Sequence, residues 1–397
     1  MTENTLRSRL LPMRPRDPHE PGRTASTLEL FFDLVFVVAV SVAAVQLHHK
    51  LSEGHVADGL LTYAMVFFAI WWAWMNFTWF ATSFGVDDWL YRVLTFVQMA
   101  GVLVLAAGIE PVYEDRDFTL VVLGYVIMRL AMVAQWLRAS RDPGPMQPVT
   151  RAYAIGIAVV QVGWLLMLVV PPEGVVTVWL VLALAELAVP VIAENRSDSS
   201  TPVHPHHITE RYGLFTLILL GESLLASANA IIEALHKEHD VGSLIALAVL
   251  TLVVTAALWW IYFWPPHHRA LGSLGQSLRY GYVHYFVFAA AGAFSAGIEV
   301  EVDVITGESH LSDVAATFTV TVPIAVFVLG IWWIAIRANA DRVVNTVVPV
   351  GALLVLLDPV IPVPVTLTAL IMVVIVVVLV RHPPIDQDET VAGFSSG

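Results

Sequence analysis

Twelve stretches of predominantly apolar residues follow one another along this chain, each close to the length a bilayer demands. A helix rises about 1.5 Å per residue, so a hydrocarbon core about 30 Å thick takes about 20 residues to cross. The stretches fall near 27–48, 60–83, 89–109, 119–138, 151–170, 175–194, 211–234, 242–264, 278–299, 314–337, 342–358 and 364–381. Breaks such as Pro-Pro-Glu-Gly at 171–174 and the proline-rich 358–364 read as tight turns, because proline cannot continue a helix interior. The predicted fold is an all-α polytopic membrane protein of about twelve transmembrane helices.

Composition agrees. Hydrophobic residues make up 57 % and charged residues 13 %, with a mean hydropathy of +0.74, whereas a soluble domain carries about 25 % charge. The chain has no cysteine, which excludes disulfides and thiolate metal sites. A formal charge of −13 argues against a nucleic-acid partner, since no basic face can be assembled from so few cations. The first apolar run carries two acids and is far too long for a cleaved signal peptide.

Cations set the expected topology. Arg7, Arg9, Arg14, Arg16 and Arg23 precede the first span, which predicts a cytoplasmic N-terminus. The loops that are then inside hold Arg92, Arg138, Arg141, Arg151, Arg196, Arg211, Arg269, Arg279, Arg337, Arg342 and Arg381; those outside hold Lys50, Arg116 and Lys237. Twelve spans with both termini inside fit that alternation. Residues 1–26 and 382–397 are expected to be disordered tails, and 195–210 a cytoplasmic linker between membrane repeats 27–194 and 211–381.

The two halves look like copies. TLELFFDLVF at the first span echoes ITERYGLFTL at the seventh, which sets Glu29 against Glu210 and Phe31 against Tyr212. WWAW (71–74) matches WWIY (259–262), and AAGIE (106–110) matches SAGIE (295–299), at nearly the same offsets. Six spans per copy is an even number, so the repeats are expected to be parallel, related by an axis along the membrane normal.

Ionisable residues inside the spans are the candidate functional groups, because charge at the bilayer centre is costly and normally faces protein, a partner or water. Glu29 and Asp33 are four apart and so share a helix face. Counted from the span ends, Glu222, Arg129 and Glu186 lie about 15–18 Å deep, at mid-membrane, while Asp33 and His284 lie about 9 Å deep. Gln98 and Gln161 add neutral polar groups. Arg129 needs a counter-ion, and Glu222 or Glu186 is the acid expected at its depth. Counting Arg129 as the single buried arginine leaves surplus acids, which is the make-up of an ion or proton pathway. The competing reading is that acid–arginine pairs only lock helices together.

Other signals are weaker. His206 and Glu210 are four apart, yet zinc wants three or four ligands, so no metal is expected. Glu210 near the start of the seventh span suits the helix dipole. Trp71, Trp72, Trp74, Trp79, Trp259, Trp260, Trp264, Trp332 and Trp333 cluster near predicted span ends, and most of them are expected to form interfacial belts. No cofactor is implied: a retinal or quinone pocket has no sequence support. No G-x-S-x-G elbow, phosphate loop or H-E-x-x-H motif occurs, so an enzyme is the weakest class.

TLELFFDLVFVVAV near the N-terminus and HITERYGLFTLILLGES (207–223) resemble the paired hallmark segments of the bacterial low temperature requirement A (LtrA) family. The resemblance covers essentially the whole membrane domain and implies a multi-pass integral membrane protein. It marks Glu29, Phe31, Asp33, His207, Glu210, Arg211, Gly221 and Glu222 as the characteristic positions. A second similarity runs to the endolysosomal potassium channels, whose six-span repeats open with Phe-Ser-Asp. Here Phe31, Phe32 and Asp33 lack the serine, and Tyr212, Gly213 and Leu214 stand where the segment would recur.

The resulting expectation is a duplicated bundle in the bacterial cytoplasmic membrane, acting as a secondary transporter or cation-coupled permeation protein. Glu29, Asp33, Arg129, Glu186, Glu210, Glu222 and His284 are its candidate pathway residues. Its partners are the lipid bilayer and an unidentified small solute or ion, with homo-oligomers left open. A cation channel is the first alternative, and a non-transporting structural or stress-adaptation protein of low-temperature growth the second.

Overall fold

A computed structural model describes residues 10–197, 200–237, 241–361 and 365–385. Arg7 and Arg9, Asp198 and Ser199 of the linker, and the tail 386–397 lie outside the described residues. Twelve long helices and no strand occur among the described residues. They are α1 (Thr27–Ser52), α2 (Val56–Phe84), α3 (Trp89–Asp115, interrupted at Gly108), α4 (Thr119–Ala139), α5 (Gln147–Met167) and α6 (Pro172–Glu194). Then come α7 (Pro205–Lys237), α8 (Val241–Phe263), α9 (Leu274–Thr306), α10 (Asp313–Ile331), α11 (Arg342–Leu354) and α12 (Thr366–Arg381). Eleven are long and apolar enough to cross a membrane; α12 is apolar but only 16 residues long.

Local chemistry explains the helix starts. Ser26 and Glu29 form a reciprocal capping box at α1: the Ser26 N–H donates to Glu29 Oε2 at 2.8 Å, and Ser26 Oγ accepts the Glu29 N–H at 3.3 Å. Asp88, Ser273, Ser312 and Asp341 cap α3, α9, α10 and α11 through their side chains. α10 continues into a π turn at Trp332–Ile336, and α11 tightens into a 3-10 segment at Val355–Val360.

By contacts the chain forms two compact units. The first comprises Met1–Gln46 and Leu60–Leu214, the second Leu47–Gly59 and Phe215–Gly397. In the first, α3 and α4 make the closest crossing: a Cβ on Gly124 would stand 2.4 Å from the Leu105 backbone nitrogen and 2.5 Å from the Gly101 carbonyl. In the second, α9 and α10 do the same at Gly297, whose Cβ would meet the Thr319 carbonyl at 2.4 Å. Lipid tails are as apolar as leucine, so helices in a bilayer associate through such close backbone approach and through polar contacts. Leu166, Val181 and Leu184 accordingly face outward at about 60 % exposure or more.

Three expectations need correction. Residues 10–26 are tied down instead of disordered: the Arg16 N–H donates to the Ser83 carbonyl, the Leu11 N–H to Asp88, and Met13 is buried. The start of the C-terminal tail is likewise held, by His382 on Asp341 and by the Ile385 N–H on the Asn339 carbonyl. Helix α7 begins at Pro205, so residues 205–210 of the expected linker are helix. Trp71, Trp72 and Trp74 are fully buried, not interfacial, because buried carboxylates claim the indole N–H groups of Trp72 and Trp74. Trp259, Trp260 and Trp333 are exposed.

Candidate functional site

The i,i+4 pair Glu29/Asp33 on α1 meets a second i,i+4 pair, His207/Arg211, on α7. Asp33 accepts from Arg211 Nε at 3.0 Å and Nη2 at 2.6 Å, a two-pronged arrangement, and from Trp74 Nε1 at 2.6 Å. Arg211 Nη1 stands 3.1 Å from Glu29 Oε1. His207 Nε2 lies 3.3 Å from the same oxygen, while its Nδ1 is 2.5 Å from the Thr82 hydroxyl. Asp33, Arg211 and His207 are completely buried, and Glu29 is 6 % exposed. Arg211 was expected in a loop; it is a second buried arginine, so Asp33 is no surplus acid. The spacing was visible, since both pairs are four apart, but nothing in the sequence says that they face one another.

Arg129 and Glu186 form another buried pair, on α4 and α6, with Nη2 to Oε2 at 2.7 Å. Glu186 Oε2 also accepts from Trp72 Nε1, at 2.9 Å. Its Oε1 accepts from the Tyr125 hydroxyl at 2.8 Å, Gln161 Nε2 at 3.0 Å and Trp164 Nε1 at 3.3 Å. One carboxylate thus joins α2, α4, α5 and α6. The choice left open between Glu186 and Glu222 falls to Glu186.

Glu29 has a second face. It lines a cavity of about 700 Å³ together with Arg16, Arg23, Tyr91, Phe31 and Phe96. The Arg23 side chain is 5 % exposed, donates from Nη2 to the Ala81 carbonyl at 2.9 Å, and leaves its Nε unpartnered. Arg16 is paired with Glu20, whose carboxyl sits below its usual range, chiefly through the Arg16 hydrogen bond. Phe31 and Phe96 are about half exposed, so the cavity has an apolar rim and a charged floor. Nearby Asp88 takes N–H groups from Tyr91 and Leu11 and pairs with Arg138. Burial pushes its carboxyl upward, but those bonds outweigh it and hold it below the ordinary value.

The remaining predicted residues are placed differently. Glu210 is half-buried and accepts the Ala25 N–H at 3.1 Å; it does not join Glu29. Gly221, Glu222 and His284 belong to the second unit. Glu222 is half-buried and Gly221 exposed, with open space where a Cβ would stand. His284 is fully buried in a tyrosine–histidine network: Nδ1 donates to the Tyr280 carbonyl at 2.7 Å, and Nε2 lies 3.1 Å from the Tyr262 hydroxyl. His267 closes that network. Its Nε2–H donates to the Tyr262 carbonyl at 2.6 Å and its Nδ1 lies 3.1 Å from the Tyr280 hydroxyl. Burial pushes His267 down to about 4, the neighbouring His268 adding to it against the Tyr262 bond, so the ring is neutral at physiological pH. Sequence reasoning passed over His267 and Thr82 and read Arg23 as a topology cation and Trp72 and Trp74 as interfacial, since none has a local spacing that marks it as a site residue. No group of three or more potential metal ligands occurs among the described residues.

Helices long and apolar enough to cross a membrane, tied together by buried ion pairs such as Arg129–Glu186 and Arg211–Asp33, define a multi-pass integral membrane protein. The family model for bacterial low temperature requirement A protein (LtrA) matches residues 24–381, and the chain belongs to that family. It is also similar to RA0937 of Rhizobium meliloti (strain 1021), an uncharacterized protein, with 28 % identity over 255 residues. That match takes in 62 % of this chain and 60 % of the relative's length.

Proposed function

We propose that this LtrA-family protein is a secondary transporter of the bacterial cytoplasmic membrane, with both termini cytoplasmic, carrying a small charged solute or ion. The observation that carries the reading is the cavity floored by Glu29. Its carboxylate belongs both to that 700 Å³ space and to the buried series Glu29–Arg211–Asp33–Trp74. A solute entering there meets a charge whose partners lie deeper in the bundle, so occupancy at the rim is coupled to ion pairing inside. Arg23, with an unused donor, and Glu29 offer opposite charges for orientation.

A second reading, a non-transporting structural role in low-temperature growth, is favoured by the saturation of Glu186. That carboxylate has the arginine and four neutral donors around it, and such a pair locks helices. In the transport reading Arg129 and Glu186 are therefore scaffold, while Glu29, Asp33, His207 and Arg211 form the working group.

Flux from proteoliposomes across a panel of ions and metabolites, with and without a pH gradient, tests this. The wild type should exceed empty liposomes for at least one solute. Glu29→Gln should lower that flux about tenfold, the equivalent of about 1.4 kcal/mol, while folding is retained because Asp33 still holds Arg211. No flux for any solute, or wild-type flux from Glu29→Gln, overturns the proposal.

A further inference from the structure

The second unit holds buried oxygens that no hydrogen bond in the fold accounts for. One turn along α9 from the close crossing at Gly297 stands Glu301, 2 % exposed, beside Thr317 of α10, whose hydroxyl donates to the Asp313 carbonyl at 3.0 Å. Its Oε1 has no partner. Thr321 shares the α10 face of Thr317, one turn on; it is fully buried and its hydroxyl is unpartnered. The 3-10 segment Val355–Val360, which ends α11, packs mainly on α10 and carries Asp358, 0 % exposed. Asp358 Oδ2 accepts the Thr368 N–H at 2.8 Å, at the start of α12, but Asp358 Oδ1 and Thr368 Oγ1 are both unpartnered. Asp358 and Asp313 lie within electrostatic reach of Glu301.

The contrast with the rest of the chain is informative. Asp33, Asp88 and Glu186 are just as buried, and each faces an arginine. Glu301 and Asp358 pair with no cation among the described residues. An ionised carboxylate in a dry interior is costly, and a like charge beside it adds to the cost. A positive charge supplied from solution would relieve both.

We propose that Glu301, Asp358, Thr321 and Thr368 form a site for a dehydrated sodium ion. The donors are all oxygens, the choice of a hard cation and not of a transition metal. Calcium takes six to eight oxygens and magnesium keeps several waters, whereas two carboxylates and two hydroxyls suit a small monovalent ion. The site does not depend on the cavity at Glu29, and the two proposals fail separately.

Thermal unfolding of the full-length protein in detergent micelles provides the test, in sodium, potassium or choline chloride at equal ionic strength. At pH 8 sodium should raise the wild-type Tm above both other salts. Glu301→Gln and Thr321→Val should lose the sodium-specific rise, and Thr321→Ser should keep it. Equal wild-type Tm values in sodium and choline at pH 8 overturn the site even if no variant folds. So does a potassium effect equal to that of sodium, or a sodium rise that survives in both Glu301→Gln and Asp358→Asn.

Discussion

At the scale of single residues, the buried arginines decide how the acids are to be read. Arg129 was recognisable because it sits in the middle of an apolar run. Arg211 was not, because it stands near the start of one and reads as one of the loop cations from which the topology is proposed. Once α7 begins at Pro205, Arg211 lies about two turns inside the helix and meets Asp33 and Glu29. Replacing Arg129 by methionine should destabilise the protein by about 3–5 kcal/mol, since truncating one partner strands a buried charge. Glu186→Gln in that background should restore part of the loss, and Glu222→Gln should restore none. Thermal unfolding in micelles reads the difference; equal rescue by both would dissociate Arg129 from Glu186.

At the scale of helices, glycine and capping explain motifs that resemblance alone only names. The match of AAGIE with SAGIE sets Gly108 against Gly297, and each presses on the helix that follows it. A Cβ on Gly108 would stand 2.6 Å from the Val121 nitrogen, and one on Gly297 2.4 Å from the Thr319 carbonyl. The acid at position 29 has a local task as well, as the return arm of the α1 capping box. Gly124→Ala should destabilise by about 1–3 kcal/mol, the usual cost of overpacking, because the obstacle is backbone. Gly221→Ala meets open space and should stabilise α7 by up to about 1 kcal/mol. A well-folded Gly221→Ala protein without activity would show that this position serves function and not packing. Helix existence was legible from apolar run length, whereas the early start of α7 was not, because its first turns carry the polar sequence His206, His207, Thr209, Glu210 and Arg211.

For the whole molecule, the topology proposed from the placement of cations can be tested without a background signal, as the chain has no cysteine. Cysteines at Glu53, Glu173 and Glu308, all exposed, should be labelled from outside the cell by an impermeant thiol reagent. Cysteines at Arg196 and Ser273, also exposed, should be labelled only after permeabilisation. Ser52 is unsuited as a reporter, because it is buried and donates to Asp303 at 2.5 Å. Labelling of Arg196→Cys from outside would overturn twelve spans with a cytoplasmic N-terminus.

Run length and composition by themselves determined the class, an all-helical membrane protein of about twelve spans, because crossing a bilayer imposes a local and linear requirement on the chain. The family was legible in two motifs along the chain, and the acids of the first half stood out inside apolar runs. The pairing of those acids was decided only by tertiary structure. Which helix faces Asp33, and which groups surround Glu186, depends on crossings set by small residues far apart in sequence, and no spacing along the chain encodes them. The same holds for the unpaired oxygens of Glu301, Asp358, Thr321 and Thr368, since whether a buried carboxylate has a cation beside it is a property of the packed bundle.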